Sequence, residues 1–398
     1  MIGLPDILDA RERVSTILRP TPVDHSDSLT RLAGRPVILK PEHLQRTGSF
    51  KIRGAYNLIS RLERGLEVVT ASAGNHAQGV ALAATLTGLP STIFMPTGAP
   101  LPKVEATRSY GAVVRLVGEV VDDAMSEAKA YAAANGAIYV PPFDHPEIIA
   151  GQGTIGLELA EETPDAETVV VPVGGGGLIA GVATALAHTR RAIRIIGVEA
   201  EGAACVGAAL KAGDCVELER LATMADGIAV KKTSELALAH IRAYVDDMVT
   251  VDEEEISRAM LLLLERAKAV VEPAGAVGLA AVLAEKIPGR GVVVALLSGG
   301  NVDPLLLIKL IDHGLSAAGR YLVLRIVIAD RPGALARLTT ELARRSLNVL
   351  EVEHHRSGLQ LGIDEVEVLL TVETRDPEHR HAVVAELRDA GFRVEQVR

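Results

Sequence analysis

Hydrophobic residues between positions 37 and 310 follow two alternating patterns. Short runs rich in Val and Ile, mostly apolar on consecutive residues, alternate with segments whose apolar residues recur at helical spacing. This alternation is typical of a parallel sheet that helices cover on both faces. The predicted strands are 37–40, 67–70, 91–95, 113–117, 168–173, 194–199 and 291–297. The predicted helices include 75–87, 122–135, 178–189, 253–268 and 273–286.

The pattern changes after a small-residue stretch at positions 316–319. From Tyr321 onward the order is strand 322–328, turn 330–333, helix 334–345, strands 347–354 and 365–371, helix 377–390 and strand 392–396. This βαββαβ order is typical of a ferredoxin-like unit. We therefore predict an α/β protein with a first domain over residues 1–315, a linker over 316–320 and a second domain over 321–398.

Composition and charge exclude several classes of function. The 398 residues carry a formal net charge of −10, and no cluster of Lys and Arg could neutralise a phosphate backbone, so nucleic acid is not an expected partner. The N-terminus lacks the pattern of a secretion signal, and no apolar stretch approaches 18 residues, so a membrane location is not expected. Cys205 and Cys215 are the two cysteines, without zinc-ligand spacing. We expect a reduced, cytoplasmic protein with no zinc site.

Lys51 is the first candidate for chemistry. It enters a predicted helix directly after a Gly-Ser turn, in a chain with ten lysines and thirty-one arginines. A desolvated ammonium can lose its proton and attack a carbonyl, which a guanidinium cannot do. A solvated lysine at a helix start is the alternative that this loop alone leaves open.

Two further loops could bind anions. In the loop 70–79, Ser72 and Asn75 can cap the following helix, and its free N–H groups suit a carboxylate; capping without a ligand is the alternative. Four glycines follow the strand 168–173, where consecutive N–H groups can surround a phosphate. Because the sequence matches no dinucleotide or nucleotide-triphosphate motif, one phosphate is favoured, and a tight strand-to-helix turn is the alternative.

Ser298 completes the set. It follows the strand 291–297, at the edge of an open sheet where ligands sit, and its hydroxyl can contact a ring nitrogen. A lysine nucleophile, a phosphate loop, a carboxylate loop and a ring-facing hydroxyl are the parts that a pyridoxal 5'-phosphate site requires.

Several motifs carry a resemblance to a known family. They are KPE at 40–42, TGSFKIRGA at 47–55, SAGNHAQG at 72–79, GGGGL at 174–178, ADGI at 225–228, VEPAG at 271–275 and SGGN at 298–301. With them the chain resembles the threonine ammonia-lyases (threonine dehydratases) of the β-family of pyridoxal-phosphate enzymes. The resemblance implies a fold-type II catalytic domain, similar to the tryptophan synthase β subunit, with two open parallel-sheet subdomains. The C-terminal unit, with DRPGAL at 330–335, resembles a single ACT domain.

The resemblance also implies roles for individual residues. Lys51 would form the covalent imine with the cofactor, Asn75 would face the cofactor's 3′ oxygen, and Ser298 would meet the pyridine nitrogen. The phosphate would be bound by Gly174, Gly175, Gly176, Gly177 and Leu178. The substrate carboxylate would be received by Ser72, Ala73, Gly74, Asn75 and His76.

Two positions separate the chain from the serine racemases that it resembles. Those relatives have a serine where Ala73 stands, so racemisation should be poor here. They also bind a divalent cation near a glutamate like Glu199, but the run 199–205 does not reproduce their acidic ligands. We therefore predict no metal, with a cation at Glu199 left open.

The leading hypothesis is an ammonia-lyase that converts L-threonine to 2-oxobutanoate and ammonia, with side activity on L-serine. A serine or 3-hydroxyaspartate ammonia-lyase is the enzymatic alternative. An amino-acid-sensing protein with a catalytically dead scaffold is the alternative of another class, and the presence of Lys51 argues against it.

The C-terminal unit is the expected regulatory site. Its turn is formed by Asp330, Arg331, Pro332 and Gly333. Free N–H groups at the helix that follows suit an amino-acid carboxylate, and we expect Asn348 to be the nearby polar side chain. The resemblance implies isoleucine as inhibitor, valine or another effector remaining open, in a homotetramer or homodimer. A purely structural dimerisation module is the alternative.

Overall fold

The computed structural model describes residues 1–190, 192–317, 320–356 and 361–397. The chain divides into two compact units, Met1–Asp303 and Pro304–Arg398. Among the described residues, no helix is long and apolar enough to cross a bilayer.

The described residues of the first unit form two sheets. A six-stranded sheet has the order β1-β2-β10-β7-β8-β9 and a four-stranded sheet has the order β5-β4-β3-β6; all neighbours are parallel except β1 and β2. The strands are β1 Asp24–His25, β2 Val37–Lys40, β3 Val68–Ala71, β4 Ser91–Met95, β5 Val113–Leu116, β6 Ile138–Tyr139, β7 Thr168–Pro172, β8 Arg194–Ala200, β9 Asp247–Val251 and β10 Val293–Leu296. Every residue of β2, β3, β4, β7 and β10 is buried, as the consecutive apolar runs predict.

Among the described residues of this unit, twelve α-helices cover the two sheets. They are α1 Leu4–Val14, α2 Asp27–Ala33, α3 Lys51–Ile59, α4 Asn75–Thr87, α5 Leu101–Ser109, α6 Val121–Asn135, α7 Pro146–Glu162, α8 Gly177–Thr189, α9 Cys205–Ala212, α10 Glu235–Tyr244, α11 Glu253–Leu262 and α12 Pro273–Leu283. Where α3 packs on α7, a Cβ on Gly151 would lie 2.6 Å from the Cα of Gly54. Glycine therefore lets the two backbones touch and fixes α3, the helix that begins with Lys51.

The predicted strands and helices of this unit are all present, with limits that shift by a few residues. The largest difference concerns the helix predicted over 253–268. Its α-helical part ends at Leu262 and a π-helical turn, Leu263–Ala267, follows. Lys268 then adopts a left-handed φ of 57°, which ends the helix.

The second unit begins with α13 Pro304–Ala317 and continues as βαββαβ. Its sheet is antiparallel with the order β12-β13-β11-β14, formed by β11 Tyr321–Ala329, β12 Val349–His355, β13 Glu365–Glu373 and β14 Arg393–Gln396. The helices α14 Ala334–Arg344 and α15 Pro377–Asp389 connect these strands. Residues of β11 and β13 alternate between buried and partly buried, so one sheet face supplies the core. The α/β class with a ferredoxin-like C-terminal unit is confirmed.

The predicted linker differs in its first residues. Ser316 and Ala317 belong to the last turn of α13, because small residues such as Ser and Ala do not by themselves break a helix. Residues 318 and 319 lie outside the described residues. The limits of the domains stay a prediction.

The expected effector residues do not come together within one chain. Asp330 follows the end of β11, whereas Asn348 precedes the start of β12. Both strands are antiparallel to β13, so β11 and β12 run in the same direction and begin at the same end of the sheet. The turn 330–333 and Asn348 are thus separated by the length of β11, roughly 27 Å for eight residue steps. The sequence-based expectation that Asn348 lies near the turn is wrong for a single chain.

Candidate active site

Four loops at the carboxyl ends of the strands converge in the first unit. The loop before α3 pairs with the loop after β10 through an isolated bridge between Ser49 and Gly299. The Phe50 amide donates to the Ser298 carbonyl at 3.2 Å, and the Gly300 amide donates to the Gly48 carbonyl at 2.9 Å. These contacts place Lys51 beside the Ser298 loop, although about 250 positions separate them in the sequence.

Lys51 starts α3 and is partly buried. Its Nζ donates to the carbonyl of Pro142 at 2.9 Å and lies 5.2 Å from the centroid of the Phe50 ring. Burial lowers the pKa of Lys51 to about 8, against an opposing effect of the Glu272 carboxyl. A lowered pKa increases the neutral fraction of the amine, which is the form that acts as a nucleophile or base.

Asn75, the first residue of α4, is held from two sides. Its Nδ2 donates to Glu272 Oε1 at 2.5 Å, and its Oδ1 accepts from Asn301 Nδ2 at 2.7 Å. Asn301 also donates to the carbonyl of Thr47 at 2.7 Å. One N–H of the Asn75 amide is left without a partner in the described part of the chain.

The tetraglycine loop joins β7 to α8. Gly176 caps α8 with a left-handed φ of 93°, and a Cβ on Gly174 would lie 2.9 Å from the Cα of Ile228. A Cβ on Gly175 would overlap the Phe143 ring. Within residues 1–190 and 192–317, the N–H groups of Gly174, Gly175 and Gly176 donate to no acceptor. Consecutive free N–H groups before a helix are the donor set that a phosphate requires.

The loop expected to receive a carboxylate is only partly open to a ligand. Ser72 accepts a hydrogen bond from the Gly74 amide at 3.2 Å, and Ala73 and Gly74 are partly buried. His76 is buried, its Nε2 contacts the Val140 carbonyl at 3.0 Å, and burial lowers its pKa to about 3. The His76 side chain is therefore neutral and hydrogen-bonded to the Val140 carbonyl. Any contact of His76 with the substrate would come from its backbone N–H.

Sequence reasoning gave no role to Glu272 or Asn301. Both lie in the quoted motifs VEPAG and SGGN, and the signal that could have found Glu272 is a carboxyl within an otherwise apolar stretch. The hydroxyls of Thr47 and Ser49 were also missed. Both are buried without a hydrogen-bond partner among the described residues, beside Lys51 in the chain.

Glu199 has a structural use in this fold. Its two carboxylate oxygens accept the N–H groups of Val206 and Gly207, each at 2.8 Å, at the start of α9. Burial raises its pKa to about 7. In the described residues, no group of three or more His, Cys, Asp or Glu side chains is arranged to hold a metal ion.

The donors around Lys51 fit pyridoxal phosphate. Free N–H groups of the tetraglycine loop suit the phosphate, and the unpaired N–H of Asn75 suits a ring oxygen. Ser298 is 4% exposed, and its hydroxyl has no hydrogen bond within the described residues, so it is available to a ring nitrogen.

Comparison with known proteins agrees with this fit. The family model "Pyridoxal-phosphate dependent enzyme" matches residues 14–299, and the "ACT domain" model matches residues 322–392. The chain belongs to the pyridoxal-phosphate-dependent enzymes. The predicted cofactor, pyridoxal 5'-phosphate, and the C-terminal ACT domain are thereby confirmed.

Two curated relatives match over nearly the whole chain. The L-threonine ammonia-lyase of Geobacter sulfurreducens is 47% identical over 393 residues, covering 98% of each chain. That of Thermotoga maritima is 46% identical over 398 residues, covering 99% of each. Among solved structures, the processed form of threonine deaminase isoform 2 from Solanum lycopersicum is 40% identical with a TM-score of 0.74, covering 78% of this chain and 86% of that one.

Ser298→Ala tests the role of the hydroxyl in this pyridoxal-phosphate-dependent enzyme. We expect the variant to keep its cofactor, because the phosphate loop and Lys51 are intact, and to lose turnover. One hydrogen bond to a buried ring nitrogen corresponds to about 1–3 kcal/mol, or roughly five- to 150-fold in kcat. Steady-state kinetics together with the cofactor absorbance measure both effects. Unchanged turnover would mean that Ser298 has only a structural use.

Proposed function

We propose that the chain is an L-threonine ammonia-lyase that forms 2-oxobutanoate and ammonia, with L-serine as a second substrate. The observation that carries the proposal is Lys51, a partly buried amine whose pKa is lowered to about 8, beside the donors for pyridoxal phosphate. The two full-length relatives are named L-threonine ammonia-lyase, and this name is the reason for proposing L-threonine as the substrate. A dead sensing scaffold would have no use for such a lysine.

Each loop has a separate task in this proposal. Pyridoxal phosphate, when bound, stabilises the negative charge that develops on the substrate α-carbon. The tetraglycine loop holds the phosphate, and the loop Ser72–His76 receives the substrate carboxylate through its N–H groups. Lys51 Nζ takes the proton from the α-carbon and gives a proton to the β-hydroxyl, which then leaves as water. The released enamine tautomerises and hydrolyses in water to 2-oxobutanoate and ammonia.

The test is product release from a panel of amino acids. Purified enzyme is incubated with L-threonine, L-serine and L-3-hydroxyaspartate, and ammonia and the 2-oxo acid are measured. We expect the highest kcat/KM with L-threonine, a lower value with L-serine, and little serine racemisation because Ala73 lacks a hydroxyl. A higher kcat/KM with 3-hydroxyaspartate or L-serine, or no product at all, would contradict the proposal.

We also propose that the ACT domain binds an amino-acid effector, isoleucine by likeness to biosynthetic enzymes, between two copies of the chain. The edge strand β12 exposes Leu350 and Val352, and pairing it antiparallel with β12 of a second copy forms a homodimer or a pair within a tetramer. The end of β12 lies near the turn, since Arg356 contacts Asp330 at 3.4 Å. That pairing would bring Asn348 of one copy toward the turn of the other. The proposed location of the enzyme is the cytoplasm.

A chain that ends at residue 319 tests this regulation. It keeps residues 14–299, which the catalytic family model matches, and lacks the ACT domain. We expect kcat within about threefold of the full-length enzyme and no response to isoleucine, because a ligand acts only through a site that it binds. Activity at rising isoleucine concentration measures the response, with valine in parallel. Equal responses of both chains would show that the sensor lies elsewhere.

A further inference from the structure

Glu272 is a nearly fully buried carboxyl that the proposed reaction does not use. It is 3% exposed and immediately precedes α12, yet its side chain does not cap that helix. Its backbone N–H is bound to the Gly299 carbonyl at 3.0 Å, which fixes its position beside the Ser298 loop. Among the described residues, Glu272 Oε1 accepts a hydrogen bond from Asn75 Nδ2 at 2.5 Å.

Neighbouring groups limit the space around the Glu272 carboxyl and determine the charges that act on it. A Cβ on Gly299 would overlap Glu272 Oε1, so the carboxyl fills the room that this glycine leaves. The charged groups that act on it are Asp226, Lys103 and Lys51. Burial and Asp226 raise its pKa to about 7, while Asn75 and the two lysines oppose that rise. The carboxyl has no ion-pair partner in the described residues, so its main partner is an amide.

The contact joins the two halves of the catalytic unit. Asn75 lies on α4, which follows β3 of the four-stranded sheet, whereas Glu272 precedes α12 and Asn301 follows β10 of the six-stranded sheet. Glu272 accepts one N–H of the Asn75 amide, and Asn301 donates to its oxygen. Because the oxygen and one N–H of the Asn75 amide are both hydrogen-bonded, the amide plane cannot rotate. Its second N–H therefore points in one fixed direction.

We propose that Glu272 is a positioning residue, which together with Asn301 fixes the Asn75 amide so that its free N–H meets the cofactor's 3′ oxygen. The inference rests on the proposed place of Asn75 beside the cofactor. Glu272 acts through Asn75 as a hydrogen-bond acceptor, so an uncharged acceptor of the same shape should serve as well.

A double-mutant cycle on the full-length enzyme tests this. The variants are Asn75→Ala, Glu272→Leu and the double variant, with Glu272→Gln as the variant that keeps an acceptor. The readouts are the dissociation constant of pyridoxal phosphate for the apoenzyme and the wavelength of the cofactor absorbance band. Glu265→Gln, at an exposed carboxyl in the preceding π-helical turn, is the control and should change neither.

We expect Glu272→Leu to weaken cofactor binding about tenfold and to shift the band, the effect of one lost hydrogen bond. Glu272→Gln should stay within about twofold of the parent. The double variant should bind no more weakly than Asn75→Ala alone, because residues that act through one group are not additive. Should Glu272→Leu fail to fold, Asn301→Ala releases the same amide from its other end and carries the same expectation.

Several results would overturn the proposal. One is a Glu272→Leu loss that adds in full to that of Asn75→Ala. Another is a lower thermal midpoint with unchanged cofactor affinity and absorbance. A Glu272→Gln variant as weak as Glu272→Leu would show that charge, not acceptor geometry, matters. None of these readouts needs a substrate, so a failure with L-threonine in the product panel would leave this test independent.

Discussion

We expect Lys51→Ala to abolish turnover while the protein stays folded. The amine is the only group assigned both to bind the cofactor covalently and to move the α-carbon proton. General acid–base catalysis alone contributes about 10²- to 10⁴-fold, so a loss in kcat of at least about 10³-fold is expected. The side chain makes one hydrogen bond, to the Pro142 carbonyl, so the free energy of unfolding should fall by only about 1 kcal/mol.

Three measurements separate this outcome from simple unfolding. Initial rates with L-threonine give kcat, the absorbance band of the cofactor reports the covalent link, and urea unfolding gives the stability. Lys211→Ala, at an exposed position near the end of α9, is the matched control and should leave all three unchanged. Appreciable turnover without Lys51 would assign the nucleophile to another lysine and overturn the site.

Local patterns predicted much of the catalytic unit. The strands at 37–40 and 91–95 and the helix at 75–87 have the limits that the sequence indicates. Consecutive apolar residues and helical spacing report burial directly, and burial is what these elements share. The two-residue strand Ile138–Tyr139 is too short to carry such a pattern, and it was missed.

Contacts between distant loops were beyond the sequence. Glu272 and Asn301 both meet Asn75, about 200 positions away, and nothing in the spacing of a motif states which side chains will face each other. The ACT domain shows the opposite case, in which residues that are close in the sequence lie far apart in the fold. Asn348 comes fifteen positions after Gly333 in the chain, but the helix between them returns the chain to the opposite edge of the sheet.

We expect Arg53→Met to destabilise the protein by about 3–5 kcal/mol, the cost of breaking a buried ion pair and leaving one charge alone. The guanidinium is fully buried and binds both oxygens of Glu42, each at 2.8 Å, and Glu42 is itself 0% exposed. It also contacts Glu158, at 2.5 Å. Burial opposes the charge on Arg53, but these carboxylates outweigh burial and raise its pKa.

Arg61 provides the matched control. It also pairs with two carboxylates, those of Asp9 and Glu147, but its side chain is 41% exposed. Solvent screens exposed pairs, so Arg61→Met should cost no more than about 1 kcal/mol. Urea unfolding of both variants at pH 7 gives the comparison, and equal losses would contradict the role of burial.

Pairing Arg53→Met with Glu42→Gln separates the lone charge from lost packing. If the unpaired Glu42 carboxylate causes most of the loss, neutralising it should recover part of the stability, and the double variant should be more stable than Arg53→Met alone. The recovery should stay incomplete because Glu158 also loses its contact with Arg53. Arg53 lies two residues after Lys51 on α3, so the same network holds the helix that presents the amine. We therefore expect Arg53→Met to lower kcat as well. Arg61→Met should not lower it, because Arg61 lies two residues beyond the end of α3.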